Sequence, residues 1–144
     1  MFKTILNDTK FARPVNATAA GITVVNGTAV DTQGYDGVAF VCQLGALTAT
    51  QVTSLKAQQG DLANGSDAVD IAGGGTANAA DADSNKLLVV DVRRPTHRYV
   101  RPVVLRGTAN AVIDSVIAIL YRGAVAPSVQ DAAVVSQSVA VSDS

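Results

Sequence analysis

Residues 111–121 read AVIDSVIAILY, and this stretch decides the fold. Eleven residues could make a helix, but five of them are Val or Ile, whose branched Cβ is stiff in a helix and suits a pleated sheet. As a strand, the segment sets Ile113, Ile117, Ile119 and Tyr121 on one face and Val112, Val116 and Leu120 on the other.

Working outward from this strand, turn residues 107–110 separate it from HRYVRPVVLR, residues 97–106. That run predicts a second strand whose apolar parity switches at Arg101-Pro102. Pro102 has no amide hydrogen for a ladder, so a bulge or an edge position is expected there. Upstream, KLLVVDV (86–92) is a short apolar run that predicts a strand buried on both faces. Residues 37–44 (GVAFVCQL) alternate, with Val38, Phe40, Cys42 and Leu44 on one face. Residues 51–58 fit a strand or one short helix, with length and neighbours favouring the strand, and residues 68–72 predict a further short strand. Gly73-Gly74-Gly75 and the Ala/Asp-rich residues up to 85 predict a loop. Residues 21–31 place Asn26-Gly27 between GITVV and TAVD, the pattern of a short hairpin. About seven short strands with a turn signal every ten or so residues define an all-β domain over residues 21–123. A compact β-sandwich, a jelly-roll or a small barrel all fit. Residues 1–20 and 124–144 show no sustained period and predict extended N- and C-terminal arms, the second ending in the Ser/Val-rich VVSQSVAVSDS, which could add a strand to a neighbour or stay disordered.

Composition agrees. The chain has 144 residues, enough for one domain to bury roughly two-thirds of its unfolded surface without a disulfide or a metal. All twelve acidic residues are Asp, which favours turns and caps over helices. Only 16% of residues are charged, so part of the surface is expected to be covered by partners. The net charge of −1 gives no general electrostatic attraction for nucleic acid or an anionic membrane. The opening residues lack the apolar run of a signal peptide, and residues 116–121, the longest apolar stretch, are too short to span a bilayer. The Asn-x-Ser/Thr sequons at Asn7, Asn16, Asn26 and Asn64 then read as chance matches in a Thr/Asn-rich chain.

Catalytic chemistry finds few candidates. Cys42 is the only thiol and His97 the only imidazole, two short of a zinc set and positioned by the pattern on a core strand and near a surface turn. Asp81, Asp83 and Asn85 begin like a calcium loop, but Lys86 stands at the glycine place and Val92 at that of the bidentate Glu. The glycine triplet lacks the Lys-Ser/Thr of a phosphate loop. One charged cluster stands out: Arg93, Arg94, His97, Arg98 and Arg101, with Arg106 beyond and Tyr99 among them. Arginines beside an aromatic could grip single-stranded nucleic acid. On a chain of this charge and with twelve Asp available, an inter-subunit contact is the preferred reading. No catalytic, cofactor-binding or metal residue is therefore assigned. The expected interface residues are Phe2, Ile5, Phe11 and Arg13 of the N-terminal arm with Arg93, Arg94, His97, Arg98 and Arg101.

Residues 31–45 (DTQGYDGVAFVCQLG) resemble a pattern in small structural proteins of tailed bacteriophages, in which a GYD turn leads into a VxFVxxLG strand. LKAQQGD (55–61), ADADSNKLLVVDV (80–92) and RPTHRYVRPVVLRGTANAVIDSVIAI (94–119) match later pieces in order, so the resemblance covers about three-quarters of the chain. It implies a non-enzymatic virion protein made in the bacterial cytoplasm. By analogy, it implies a decoration or cement protein, a homotrimer on the outer capsid surface whose partner is the major capsid protein. A tail, head–tail junction or fibre-base protein is the alternative within the same particle. A glycan-binding module is the third reading, weakened by the absence of Trp and the presence of only three Tyr.

Overall fold

Side chains that alternate between interior and solvent build the molecule, as the period of two requires. A computed structural model describes residues 4–142; Phe2 lies outside them. Among the described residues one helical turn, α1 (Ile5–Asp8), precedes ten strands. These are β1 (Lys10–Val15), β2 (Thr18–Gly21), β3 (Val25–Asn26), β4 (Val30–Asp31), β5 (Gly37–Leu47), β6 (Val52–Gly60), β7 (Val69–Gly75), β8 (Leu87–Arg93), β9 (Tyr99–Gly107) and β10 (Ala111–Tyr121).

The strands make two antiparallel sheets packed face to face, a β-sandwich rather than a closed barrel. Sheet A runs β1-β10-β5-β8, with β2 also on β10. Sheet B runs β3-β9-β6-β7, with β4 also on β9. Val38, Phe40, Cys42 and Leu44 of β5 fill the centre and are all but fully buried. Val116, Ala118 and Leu120 of β10 and Leu55, Val100 and Val104 of sheet B pack against them. Each such Val, Leu or Phe contributes about 1.5–3 kcal/mol by leaving water.

Several local expectations change. Residues 10–20, expected as part of an arm, carry β1 and most of β2, and both strands are bonded to β10. Residues 21–31 do not pair with each other. Instead β3 and β4 both lie on β9, through Val25↔Val104 and Val30↔Val100. Gly27 is therefore no hairpin glycine. Its N–H donates to the Pro102 carbonyl at 2.8 Å, and a Cβ there would stand 2.6 Å from Cγ of the Pro102 ring. Pro102 is neither bulged nor on an edge strand, for its pairing with Ala57 continues an unbroken β6–β9 register. Its carbonyl, and hence its missing N–H, faces the gap between β3 and β4, where no ladder donor is required.

The parity of β10 also differs. The register shifts between Ile113 and Ser115, so Ile113 shares the core face with Val116, Ala118 and Leu120, while Ile117, Ile119 and Tyr121 turn outward. β8, expected to be buried on both faces, is an edge strand. Val90 and Val92 point inward, and Leu87 and Val89 are 58% and 53% exposed. Gly73, Gly74 and Gly75 belong to β7 rather than a loop, and the ladder to β6 skips residues between Asp70 and Gly75.

Residues 124–142 form no strand. The first part of this segment folds back on the N-terminal segment. Ser128 N–H donates to the Asn7 carbonyl, and Gln130 donates from Nε2 to the Thr9 carbonyl while its Oε1 accepts from Phe11 N–H.

Candidate interaction surface

One end of the sandwich gathers most of the predicted cluster. The register pairs Gly37 with Arg93, Tyr121 with Gly37 and Gly60 with Tyr99. It therefore brings the 32–36 turn, the 94–98 loop, the start of the β6–β7 connection and the end of β10 to the same pole.

At this pole the arginines divide into engaged and free. Arg98 holds Asp31 through two parallel bonds, Nε to Oδ1 at 2.9 Å and Nη2 to Oδ2 at 2.8 Å. That bond is the main reason the Asp31 carboxyl lies below its usual range and the Arg98 guanidinium above its own. The same guanidinium sits 5.2 Å above the Tyr99 ring and covers one of its faces. His97 Nδ1 lies 3.0 Å from Asp61 Oδ1. Two bonds between Thr96 and Gln59 fix the loop against β6. Arg101 points out of sheet B instead and donates twice to Gln58 Oε1, at 2.9 and 2.8 Å. Arg93 and Arg94 are exposed, and their side chains have no hydrogen-bond or ion-pair partner among the described residues. Arg94 is held in the left-handed region, φ +50°, by its N–H bond to the Asp36 carbonyl. Two shallow hollows of about 400 and 320 Å³ flank it and share Asp36 and Arg94 as walls. Tyr121 closes the second. Its hydroxyl donates to Asp91 Oδ1 at 2.6 Å, and burial, then that bond, raises its pKa to about 12.

The remaining expected residues are scattered. Ile5 is 68% exposed on α1. Phe11 lies half-buried on the outer face of sheet A beside Ile119. Arg13 is exposed and lines a groove of about 210 Å³ between β1 and β4. They do not form one patch with the pole arginines.

Two features lay outside the sequence reading. The first is the outer face of sheet A, where Ile117, Val41 and Val89 stand in register across three strands with Ile119, Phe11 and Leu87 beside them. Its signal was Asp91: a carboxylate in an apolar run marks the solvent face, and Leu87 and Val89 share its parity. The second is Arg106, which is not part of the surface cluster. It is buried at the other end and donates to the carbonyls of Thr23, Ala19 and Ala111 at 2.8–2.9 Å. Gly21 packs against its guanidinium, where a Cβ would stand 3.0 Å from Nη2. Chain pattern does not distinguish such an arginine from a surface one.

The groups weighed for chemistry have structural engagements. Cys42 is fully buried, and burial pushes its thiol to about 12. Asp81 accepts from Thr50 N–H and Gln51 Nε2, and Asp83 from Ala80 N–H and Lys86 Nζ. Among the described residues no three His, Cys, Asp or Glu side chains converge as a metal set, and no helix is long and apolar enough to cross a membrane. The chain matches no protein-family model, no curated protein and no solved structure.

Proposed function

We propose that this β-sandwich is a structural subunit of a tailed-phage particle, a decoration protein that binds the outer capsid surface and bridges neighbouring major capsid subunits. The observation that carries the reading is the apolar stripe on the outer face of sheet A, where Ile117, Val41 and Val89 align across three strands beside Asp91. A face of this kind suits contact with another protein surface. At the pole, the unpaired Arg93 and Arg94 are free to meet acidic groups of a partner. The order of sequence pieces over residues 31–119, which resembles phage structural proteins, supplies the kind of particle. Each copy needs only modest binding energy, because attachment at many lattice points is multivalent. A three-fold cluster of copies is the symmetry that suits this role.

Co-sedimentation with undecorated tailed-phage capsids tests the reading. Wild-type protein is expected in the pellet and an Ile117→Lys variant, folded by circular dichroism, in the supernatant. Equal pelleting of the two, or no pelleting of either, would reject it.

A further inference from the structure

The two ends of sheet A carry complementary unpaired backbones. At one end is the open edge of β8. Leu44 N–H donates to the Lys86 carbonyl and Arg94 N–H to the Asp36 carbonyl. By the alternation of an antiparallel ladder, residues 86, 88, 90, 92 and 94 bond inward to β5, and Leu87, Val89, Asp91 and Arg93 direct N–H and C=O away from the sheet. The same edge exposes the side chains of Leu87 and Val89. Natural sheets generally blunt or cover such an edge. β7, the corresponding edge of sheet B, is interrupted by its glycines, and β2, β3 and β4 are only two to four residues long. β1, the opposite edge of sheet A, is irregular between Ala12 and Val15 and is met by Gln130 Oε1 at the Phe11 N–H and by the Thr28 N–H at the Pro14 carbonyl, so β8 is the long regular edge left open.

At the other end the chain leaves the β1 edge, where Gln130 is clasped by Phe11 and Thr9. Beyond a small turn at Asp131 the segment 135–142 has no secondary structure and exposes Val135 by 96%, Val139 by 50% and Val141 by 67%. Its sequence is VSQSVAVS. Val135, Gln137, Val139 and Val141 share one parity, and Ser136, Ser138, Ala140 and Ser142 the other. There is no charge, glycine or proline in it, and alternation of this kind is that of a half-buried strand. Eight extended residues span roughly 26 Å and the seven of β8 roughly 23 Å, so the lengths match.

We infer that residues 135–142 of one copy add as a strand to the free edge of β8 in a second copy. Main-chain bonds from Leu87, Val89 and Asp91 supply affinity, as in other cases of strand addition. Val139 and Val141 cover Leu87 and Val89 on the outer face, and the small Ser and Ala side chains turn toward the side where β7 runs beside β8. Because donor and acceptor lie at opposite edges of one sheet, the contact is head-to-tail, the kind that builds rings or filaments. The inference goes beyond the capsid reading and does not depend on it, since purified protein alone tests it.

The test uses full-length chains. Light scattering after size exclusion should give an oligomer for the wild type and a monomer for Val139→Pro, whose ring removes a ladder N–H from a segment that makes no hydrogen bond to the rest of the described residues. Val89→Pro should do the same, because the Val89 N–H faces solvent in the single chain. Separately, a Val89→Cys chain mixed with a Val139→Cys chain should yield a disulfide-linked dimer under mild oxidation, while Val125→Cys in place of Val139→Cys should not. Buried Cys42 stays outside this reaction. A monomeric wild type, an oligomer that survives Val139→Pro, or cross-linking equal to that of the Val125→Cys control would overturn the inference.

Discussion

Arg106→Ala is expected to loosen one end of the sandwich. The guanidinium donates to three carbonyls, Thr23 and Ala19 at 2.9 Å and Ala111 at 2.8 Å, and so ties the 18–23 segment to the start of β10. Hydrogen bonds from a charged donor contribute about 1.5–3 kcal/mol each when buried. The three do not add in full. Ala19 is exposed, so water replaces the arginine at that carbonyl, and the protein also regains the cost of desolvating a cation. The Ala111 carbonyl belongs to a fully buried residue and is left without this donor, at about 1–3 kcal/mol. Loss of packing by the arginine stem adds to this. The net is about 2–4 kcal/mol, or a melting temperature lower by roughly 6–12 °C for a chain of this size. Urea unfolding followed by far-ultraviolet circular dichroism measures it, since the chain has no Trp. Amide exchange should show early loss of protection at residues 18–21, where β2 depends on the bridge. Arg106→Lys keeps the charge, but its one ammonium cannot stand where both Nη1, which meets the Ala19 and Ala111 carbonyls, and Nε, which meets that of Thr23, now stand, so it should recover less than half of the loss. A free-energy change below about 0.5 kcal/mol, the range of an ordinary surface substitution, would refute the reasoning.

Gly27→Ala should destabilise the fold by about 1–3 kcal/mol, because its Cβ would overlap the Pro102 ring and carbonyl, and Pro102→Ala should restore part of it in a thermal melt. The Cys42 thiol, raised to about 12 by burial, ionises in the unfolded chain first, near pH ~8.5. Its contribution to stability is therefore fully present below that pH and is lost as pH rises toward 12, so the urea midpoint should fall across this window. Cys42→Ala should flatten that slope, leaving the part due to Tyr121, which is raised in the same direction. A thiol reagent should label Cys42 only as the chain unfolds, and rapid labelling of native protein would contradict its place in the core. Arg93→Ala with Arg94→Ala should change stability by less than about 0.5 kcal/mol, since neither side chain has an internal partner, yet weaken capsid attachment. Unchanged attachment would remove the pole from the docking surface.

The strands were legible where alternation was strict. The Val38-Phe40-Cys42-Leu44 face of β5 lies in the core as its period requires. What was not legible depended on partners distant in the chain. The bulge in β10 is a property of its pairing with β5, so the side taken by Ile113 could not be read from its own spacing. Asn26-Gly27 has hairpin chemistry, but the glycine serves an approach to Pro102, seventy-five positions later. Residues 10–15 have no strong period because Pro14 and Arg13 interrupt it, and only the open edge of β10 makes them a strand. In the site, the arginine cluster reads as one patch in the chain. In space Arg93, Arg94, His97 and Arg98 stay at the pole, Arg101 lies on the face of sheet B and Arg106 enters the interior. Alternation around Pro102 and distant carbonyls make that division, and no local rule contains it.

The most direct test of the proposed role is a cryo-electron microscopy map of undecorated tailed-phage capsids incubated with the purified protein. Many copies are expected at equivalent lattice positions, with the outer face of sheet A against the capsid and the Arg93–Arg94 pole beside an acidic surface. Density at a single vertex alone, or a capsid surface left bare, would contradict it.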